Sequence, residues 1–409
     1  MKVLQLNTHT SGGSYEYAAL LSEALINEGI ESRVLCKASP PAKGARFFFD
    51  GLIRRASVSF SREPWHGTRR LLPPPGPQEL AEVDVVHLHT MADWFDVSRW
   101  LEALPDRMGV VISLHDLWHV SGGCFLHRAD NRLVNNCRDC PVLRWPASAF
   151  LASFELARKL RVYRKRGVQL VANSHWLAEI AARSPIAKAC GGVRVIPPGI
   201  DTTVFSPQDK NLCRKQLGLP TDAFVIVTGG ASLTDENKNV PWLLEQLSHL
   251  PDLGGVIVVA FGEGAVRVPD RFNVRFTGGV RERGDLARLF AAADVLVSAS
   301  LMETYGLTLV EAMACGTPVV APHVGGIPEA APDGQGAILY ASQDAAAFIG
   351  AIMKLRDSPQ LRETLGEAGR ETVRVRNRLS SLSESFQEIY RECVSRRKNA
   401  QPDQSAVIV

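Results

Sequence analysis

The residues best placed to do chemistry lie between Glu303 and Glu329, in the stretch ETYGLTLVEAMACGTPVVAPHVGGIPE. Two carboxylates, Glu303 and Glu311, stand there with seven residues between them. The preceding DVLVSAS reads as a strand, LMETY as its loop, and GLTLVEAMACG as a helix closed by Gly316. Glu303 then precedes the helix N-terminus and Glu311 lies inside the helix, so both can line one pocket above the C-terminal end of the strand. The backbone N–H groups around Gly306, Leu307 and Thr308, with the positive end of the helix dipole, make an anion site suited to a diphosphate. A carboxylate beside that site would accept hydrogen bonds from sugar hydroxyls. The plainer alternative makes Glu311 a surface helix residue and Glu303 a cap.

Two domains are expected to carry such a site, because 409 residues exceed one ordinary core. The formal net charge of +3 describes a mixed surface and gives no reason to expect nucleic acid as a partner. No run of about 18 apolar residues occurs, and the opening MKVLQLNTHT is a strand pattern without the regions of a signal peptide; a cytoplasmic location is expected. Eight cysteines are too sparse for a disulfide framework and are expected as thiols or metal ligands.

Short β-branched runs alternate with amphipathic helical patterns along most of the chain, the pattern of parallel sheets covered by helices on both faces. The first half offers VLQL, SRVLC, DVVHLH, GVVISLH, VQLVANS and VRVIPPG; after PPGIDTTVFSP the pattern restarts with FVIVTGG, GVIVVAFG, VRFTGG, DVLVSAS and TPVVAP. The boundary is placed near Ile200. The expected fold is α/β, with Rossmann-like domains at 1–200 and 201–378 facing a central cleft at their strand ends, where such folds bind ligands. A last helix, 379–396, is expected to pack back toward the first domain, and 397–409 reads as a disordered polar tail. Residues 38–78 carry no clean alternation and read as a surface excursion with one helix or as a contact for a lipid-linked acceptor or membrane. The run LASFELARKLRVYRKRG is basic at Arg158, Lys159, Arg161, Arg164, Lys165 and Arg166. It is either a solvated face or a surface for an anionic acceptor or headgroup.

The stretch Glu303 to Glu329 resembles the retaining glycosyltransferases of family four, whose signature is a Glu, seven residues and a second Glu, and whose GT-B fold sets two Rossmann-like domains around a nucleotide-sugar cleft. The resemblance implies that Glu303 meets the donor sugar hydroxyls and Glu311 the ribose. Other segments resemble the family in the same order over nearly the whole chain. SGGSYEYAALLSEAL looks like its first glycine loop, where Gly12 and Gly13 let the backbone approach phosphate or acceptor. VISLHD puts His115 where the family has a His near the donor sugar. FGEGA, with Gly262, looks like a glycine turn that shapes the base pocket.

The chain departs from the family in its diphosphate clamp. Lys238 occupies the lysine position, but Ser232 or its neighbours stand where Arg is frequent, and Asn237 where a related branch carries Arg. Leaving-group stabilisation is therefore expected to rest on Lys238, the helix tip at Gly306, and Arg281 or Arg283. No Asp-x-Asp motif stands at a strand end, so no catalytic metal is expected. The implied donor is a UDP- or GDP-linked sugar, and the implied acceptor a glycan or lipid-linked glycan in bacterial surface polysaccharide synthesis, with peripheral membrane contact.

The segment SGGCFLHRADNRLVNNCRDCP holds Cys124, Cys137 and Cys140, three sulfur ligands for a structural zinc if a fourth is supplied. A family branch that includes colanic-acid-type transferases resembles this segment but has four cysteines. Asp130 stands at the position of the missing one, with His127 as the alternative. Unligated thiols or a redox pair is the other reading. Two further function classes stay open beside transfer: a nucleotide-sugar epimerase of the same fold, and a sugar-nucleotide-binding subunit without catalysis.

Overall fold

The computed structural model describes residues 1–37, 72–125, 133–143, 147–270 and 273–400. The chain divides into two units, Met1–Pro197 with Ser380–Val409, and Pro198–Leu379.

Unit 1 is built on a parallel sheet of β1 (Lys2–Asn7), β2 (Glu31–Cys36), β3 (Val85–Leu88), β4 (Gly109–Leu114), β5 (Gln169–Ala172) and β6 (Arg194–Val195), in the order β2-β1-β3-β4-β5-β6. Inner strands β3 and β4 are buried at every position, whereas edge strand β2 is partly exposed. This is the consequence of helices on both faces: a central strand needs apolar side chains on each side, so it reads as a continuous apolar run. The chain order turns back between β1 and β3, which makes that crevice the switch point of the unit.

Unit 2 repeats the architecture with β7 (Phe224–Ser232), β8 (Val256–Glu263), β9 (Val274–Gly278), β10 (Val295–Val297), β11 (Val319–Pro322) and β12 (Ala337–Tyr340), in the order β12-β11-β10-β7-β8-β9. All its pairings are parallel, and its switch point lies between β7 and β10. β12 is absent from the strands read in the sequence; its four residues AILY are too short a run to stand out. Beneath the sheet, Asp294 accepts from Arg214 Nη2 at 2.6 Å, from the Val225 N–H at 2.8 Å and from Lys210 Nζ at 3.1 Å. Arg214 also donates to the carbonyls of Ala292, Thr221 and Ala223. A buried carboxylate persists there because its lone pairs are matched by charged and backbone donors.

The final helix, Leu379–Ala400, belongs to unit 1 from Ser380 onward. Phe386 and Tyr390 on it are fully buried, and Ser383 and Gln387 donate to the Glu28 carboxylate. Residues 397–400 of the expected disordered tail are thus helical, continuing a turn in which Arg396 pairs with Glu392 at 3.3 Å; the rest of that tail, 401–409, lies outside the described residues. So do residues 38–71 of the expected excursion. Among the described residues, no helix is long and apolar enough to cross a membrane.

Candidate active site

At the switch point of unit 2, β7 and β10 run out into the loops that carry Lys238 and Glu303. Lys238 Nζ donates to Glu303 Oε2 at 2.6 Å. The carboxylate charge, assisted by the hydrogen bond itself, raises the lysine pKa against the opposing effect of burial. The neighbouring residue ties the same two loops: Asn237 Nδ2 donates to the Met302 carbonyl at 2.6 Å, and the Leu301 N–H donates to the Asn237 carbonyl at 2.8 Å. Where a related branch carries a cation, this chain has an amide that braces the acid's loop.

The Glu303 loop is held on its other side by the glycine pair of VGGIPE. The Gly326 N–H donates to the Glu303 carbonyl at 2.8 Å. Gly325 has φ of 58°, and a Cβ on it would lie 2.0 Å from that same carbonyl oxygen, so neither the conformation nor the space admits a side chain. Gly306, with φ 106° and ψ 57°, turns the chain into the helix Leu307–Ala314, and as its N-cap residue supplies no side chain to the first turn. The N–H groups of Leu307 and Thr308 therefore begin a helix whose N-terminus is left to other acceptors. Glu311 lies partly buried within this helix. Just before the tip, buried Tyr305 accepts from Asn377 Nδ2 at 2.7 Å, and Asn377 also donates to the Pro198 carbonyl at 2.8 Å. Burial pushes the Tyr305 hydroxyl up to about 12.

Gly262 lies near the end of β8, and the Leu233 N–H donates to the Glu263 carbonyl at 2.8 Å, joining that end to the Lys238 loop. Ser232 closes a local turn with Thr234, Oγ to Oγ1 at 3.0 Å. Of the two arginines expected to assist Lys238, Arg281 is exposed, whereas Arg283 faces Asp201 at 3.5 Å and lies over the Phe205 ring.

In unit 1, Gly12 (φ 88°) caps the helix Gly13–Asn27. Tyr17, one turn into that helix, meets the His115 ring edge-on at 5.0 Å. His115 follows β4 and is linked to His89, beyond the end of β3, with His89 Nδ1 and His115 Nε2 at 3.0 Å. His89 Nε2 is 2.9 Å from Gln5 Oε1 on β1. Burial lowers the pKa of His115 to about 4 and, with smaller contributions, that of His119 to about 3; His87 and His89 are lowered well below the ordinary value by the same cause. All four are neutral at pH 7. His87, His89 and Gln5 did not emerge from the sequence, although DVVHLH carries its two histidines at i and i+2, on one face of a strand.

Cys124, Cys137 and Cys140 are buried, and the Gly122 N–H lies 3.4 Å from Cys137 Sγ. Asp130 and His127, the expected sources of a fourth ligand, lie outside the described residues. Among the described residues, no group of three or more His, Cys, Asp or Glu forms a metal-holding set. The expected basic face is smaller than the sequence suggests. On the helix Ala147–Lys165 and just beyond it, Lys159 donates to the carbonyls of Trp118 and Ser121, Arg166 to those of Leu104, Pro105 and Met108, and Arg158 pairs with Asp96 and Glu155. Arg161, Arg164 and Lys165 remain at the surface.

Residues 11–204 match the family described as Glycosyltransferase Family 4, and residues 223–358 match Glycosyl transferases group 1. A D-inositol 3-phosphate glycosyltransferase of Acidothermus cellulolyticus is 31% identical over 224 residues, covering 51% of this chain and 50% of that protein; the chain thus spans about half the length of this relative. Sucrose-phosphate synthase from Thermosynechococcus elongatus is similar in structure with a TM-score of 0.67 at 20% identity, over 97% of this chain and 99% of that one. Anabaena HepE in complex with UDP-glucose is similar with a TM-score of 0.64 at 18% identity, over 96% and 100%. Two parallel-sheet α/β units, a matched stretch in each, and a shared fold over nearly the whole chain place it among the GT-B glycosyltransferases of group 1 and family 4.

Proposed function

We propose that this chain transfers a sugar from a nucleotide diphosphate sugar to an acceptor hydroxyl, with retention of the anomeric configuration. The observation that carries the reading is the Lys238–Glu303 pair, 2.6 Å apart at the switch point of unit 2 and followed by the uncapped helix tip at Gly306. A cation and oriented N–H groups suit a diphosphate, and the carboxylate beside them suits sugar hydroxyls. In the reaction the acceptor oxygen bonds to the anomeric carbon on the face from which the diphosphate leaves. The bond from that carbon to the phosphate oxygen breaks with its electron pair on the diphosphate, which takes the hydroxyl proton. Lys238 and the N–H groups of Leu307 and Thr308 meet the charge that develops on the leaving group. Glu303 holds the donor sugar, Glu311 the ribose, His115 steadies the sugar, Gly12 and Gly13 line the donor side, and Gly262 shapes the base pocket.

UDP-glucose, the ligand named with Anabaena HepE, is the first donor to test. The acceptor is a glycan or lipid-linked glycan of surface polysaccharide synthesis, reached from the inner membrane surface through Arg161, Arg164 and Lys165. A second acceptor class, an inositol phosphate, is favoured by the name of the Acidothermus relative. Labelled UDP-glucose, incubated with the protein and either inositol 3-phosphate or a membrane lipid extract, separates these readings. An α-linked labelled product supports retaining transfer and identifies the acceptor class; conversion to an epimer without acceptor, or binding without turnover, replaces it. The three thiols of the segment 124–140 are proposed to hold a structural zinc with Asp130 or His127. About one equivalent of zinc in protein purified without chelator supports this, and none in folded protein removes it.

A further inference from the structure

Three buried histidines of unit 1, His87, His89 and His119, and the partly buried His115 lie on β3 or just beyond the ends of β3 and β4, and the bonds of Gln5, His89 and His115 are directional enough to place the protons of the last two. Gln5 fixes the starting point. Its Nε2 donates to Ser32 Oγ at 3.1 Å, so its Oε1 faces His89 Nε2 at 2.9 Å. A carbonyl oxygen only accepts, so His89 Nε2 carries a proton. Burial keeps His89 neutral, which leaves its Nδ1 with the lone pair. The 3.0 Å contact from that Nδ1 to His115 Nε2 is then a hydrogen bond only if His115 supplies the proton. The same logic applies alongside: His119 Nε2 donates to the His89 carbonyl at 2.8 Å and so pins the backbone of the residue on which the chain of bonds depends.

We propose that His89, oriented by Gln5, is a positioning residue that holds His115 as the Nε2-protonated tautomer and thereby keeps the His115 Nδ1 lone pair for a substrate hydroxyl. The inference rests on the reading of His115 as a sugar contact. In this state His115 accepts a hydrogen bond from a sugar hydroxyl and does not donate one at Nδ1. His87 packs against His89 with ring centroids 4.2 Å apart, but its own nitrogens are taken by Tyr390 Oη at 2.7 Å and Ser113 Oγ at 2.8 Å. It therefore offers His89 no alternative partner. The tautomer is set by three residues, on β1 and on the extensions of β3 and β4, strands whose registers place Gln5 opposite His87 and His87 opposite Val111.

Long-range proton–nitrogen NMR on the full chain labelled with 15N-histidine, at pH 7.5 and without ligand, reads the tautomer directly. The expected spectrum shows His115 with a protonated Nε2 and an unprotonated Nδ1; the reverse pattern overturns the inference whatever the protein catalyses. Gln5→Leu removes the acceptor for His89 and should convert His115 to a mixture of tautomers, whereas Gln5→Glu keeps an acceptor and should restore the single form. His89→Phe keeps a ring of similar size without the acceptor, and should lower kcat with UDP-glucose by about tenfold with KM for the donor changed less. An unchanged His115 spectrum in Gln5→Leu or His89→Phe overturns the proposal, and the wild-type spectrum decides it if neither variant folds. A correct tautomer in a protein that never transfers glucose would instead count against the functional reading of the site.

Discussion

The two units share a layered parallel architecture and differ in what their strand ends carry. Unit 1 places neutral imidazoles there: His87, His89 and His119 are buried, His115 is partly buried, and all four are bonded to hydroxyls, carbonyls or one another. Unit 2 places charges there, Lys238 against Glu303, and keeps a second charged set, Asp294 with Arg214 and Lys210, beneath its sheet. The difference is chemical. Neutral donors and acceptors read hydroxyls without attracting ions, whereas a charged pair beside a helix tip suits a phosphorylated group. A shared fold thus fixes where each unit can hold a ligand, and the residues at its strand ends decide which chemical groups that unit can bind.

The contrast is broken most severely from below the unit 2 sheet. Asp294→Ala leaves Arg214 buried without its carboxylate, and breaking such a pair costs about 3–5 kcal/mol. Hydrogen exchange followed by mass spectrometry should show faster exchange across 198–379 while 85–114 stays protected. A uniform change would mean that the two units do not open separately. Next in size is Glu303→Ala. Removing a group that acts in the transition state lowers turnover by about 10²–10³-fold, with thermal unfolding little altered. Near-normal transfer of labelled sugar by the folded variant would contradict the role proposed for Glu303.

Acid should act on the other unit. The folded-state pKa values of His115, about 4, and His119, about 3, lie below the value of roughly 6.5 expected in the unfolded chain, so the unfolded state binds protons first as pH falls. Stability from these groups is complete above about pH 6.5 and declines down to about pH 4 for His115 and about pH 3 for His119, by about 2 kcal/mol for each of the two at pH 5. His87 and His89 shift in the same direction. The described histidines of unit 2, His249 and His323, are exposed. Lowering the pH from 7.5 to 5 should therefore increase exchange in β3 and β4 before it does so in β7 and β10; the opposite order would refute the contrast.

How far the sequence reached follows the same division. The inner strands were legible because full burial writes them as unbroken apolar runs such as GVVISL and VIVVAF. The Glu303 loop was legible because its acids, helix tip and glycines lie within 27 consecutive residues. The relay that leads to His115 was not. Gln5, His89 and His115 are brought together by strand register, which places Val3 opposite Val85 and Val85 opposite Gly109, and no local spacing encodes such offsets. In the sequence Asn237 stands out only as a missing arginine. Its bonds to Met302 and Leu301 depend on the adjacency of β7 and β10, which are far apart in the chain.

The smallest expected effect compares one buried hydroxyl in each unit. Tyr390 Oη bonds His87 Nδ1 at 2.7 Å, and Tyr305 Oη accepts from Asn377 Nδ2 at 2.7 Å. Both tyrosines are buried, and burial raises both hydroxyl pKa values. Phenylalanine at either position keeps the ring and removes one hydrogen bond, but the partners left behind differ. Asn377 Nδ2 still donates to the Pro198 carbonyl, so Tyr305→Phe should cost about 0.5–1.5 kcal/mol. His87 Nδ1 has no second partner of that kind, because its ring is buried and Ser113 lies at the other nitrogen. Tyr390→Phe should cost more, about 1–3 kcal/mol, as a buried polar atom left unsatisfied does. Urea titrations of the two variants against the parent measure the difference. Equal losses would mean that the imidazole network of unit 1 rearranges to satisfy His87, and that its proton positions are less firmly set than the Gln5–His89–His115 bonds require.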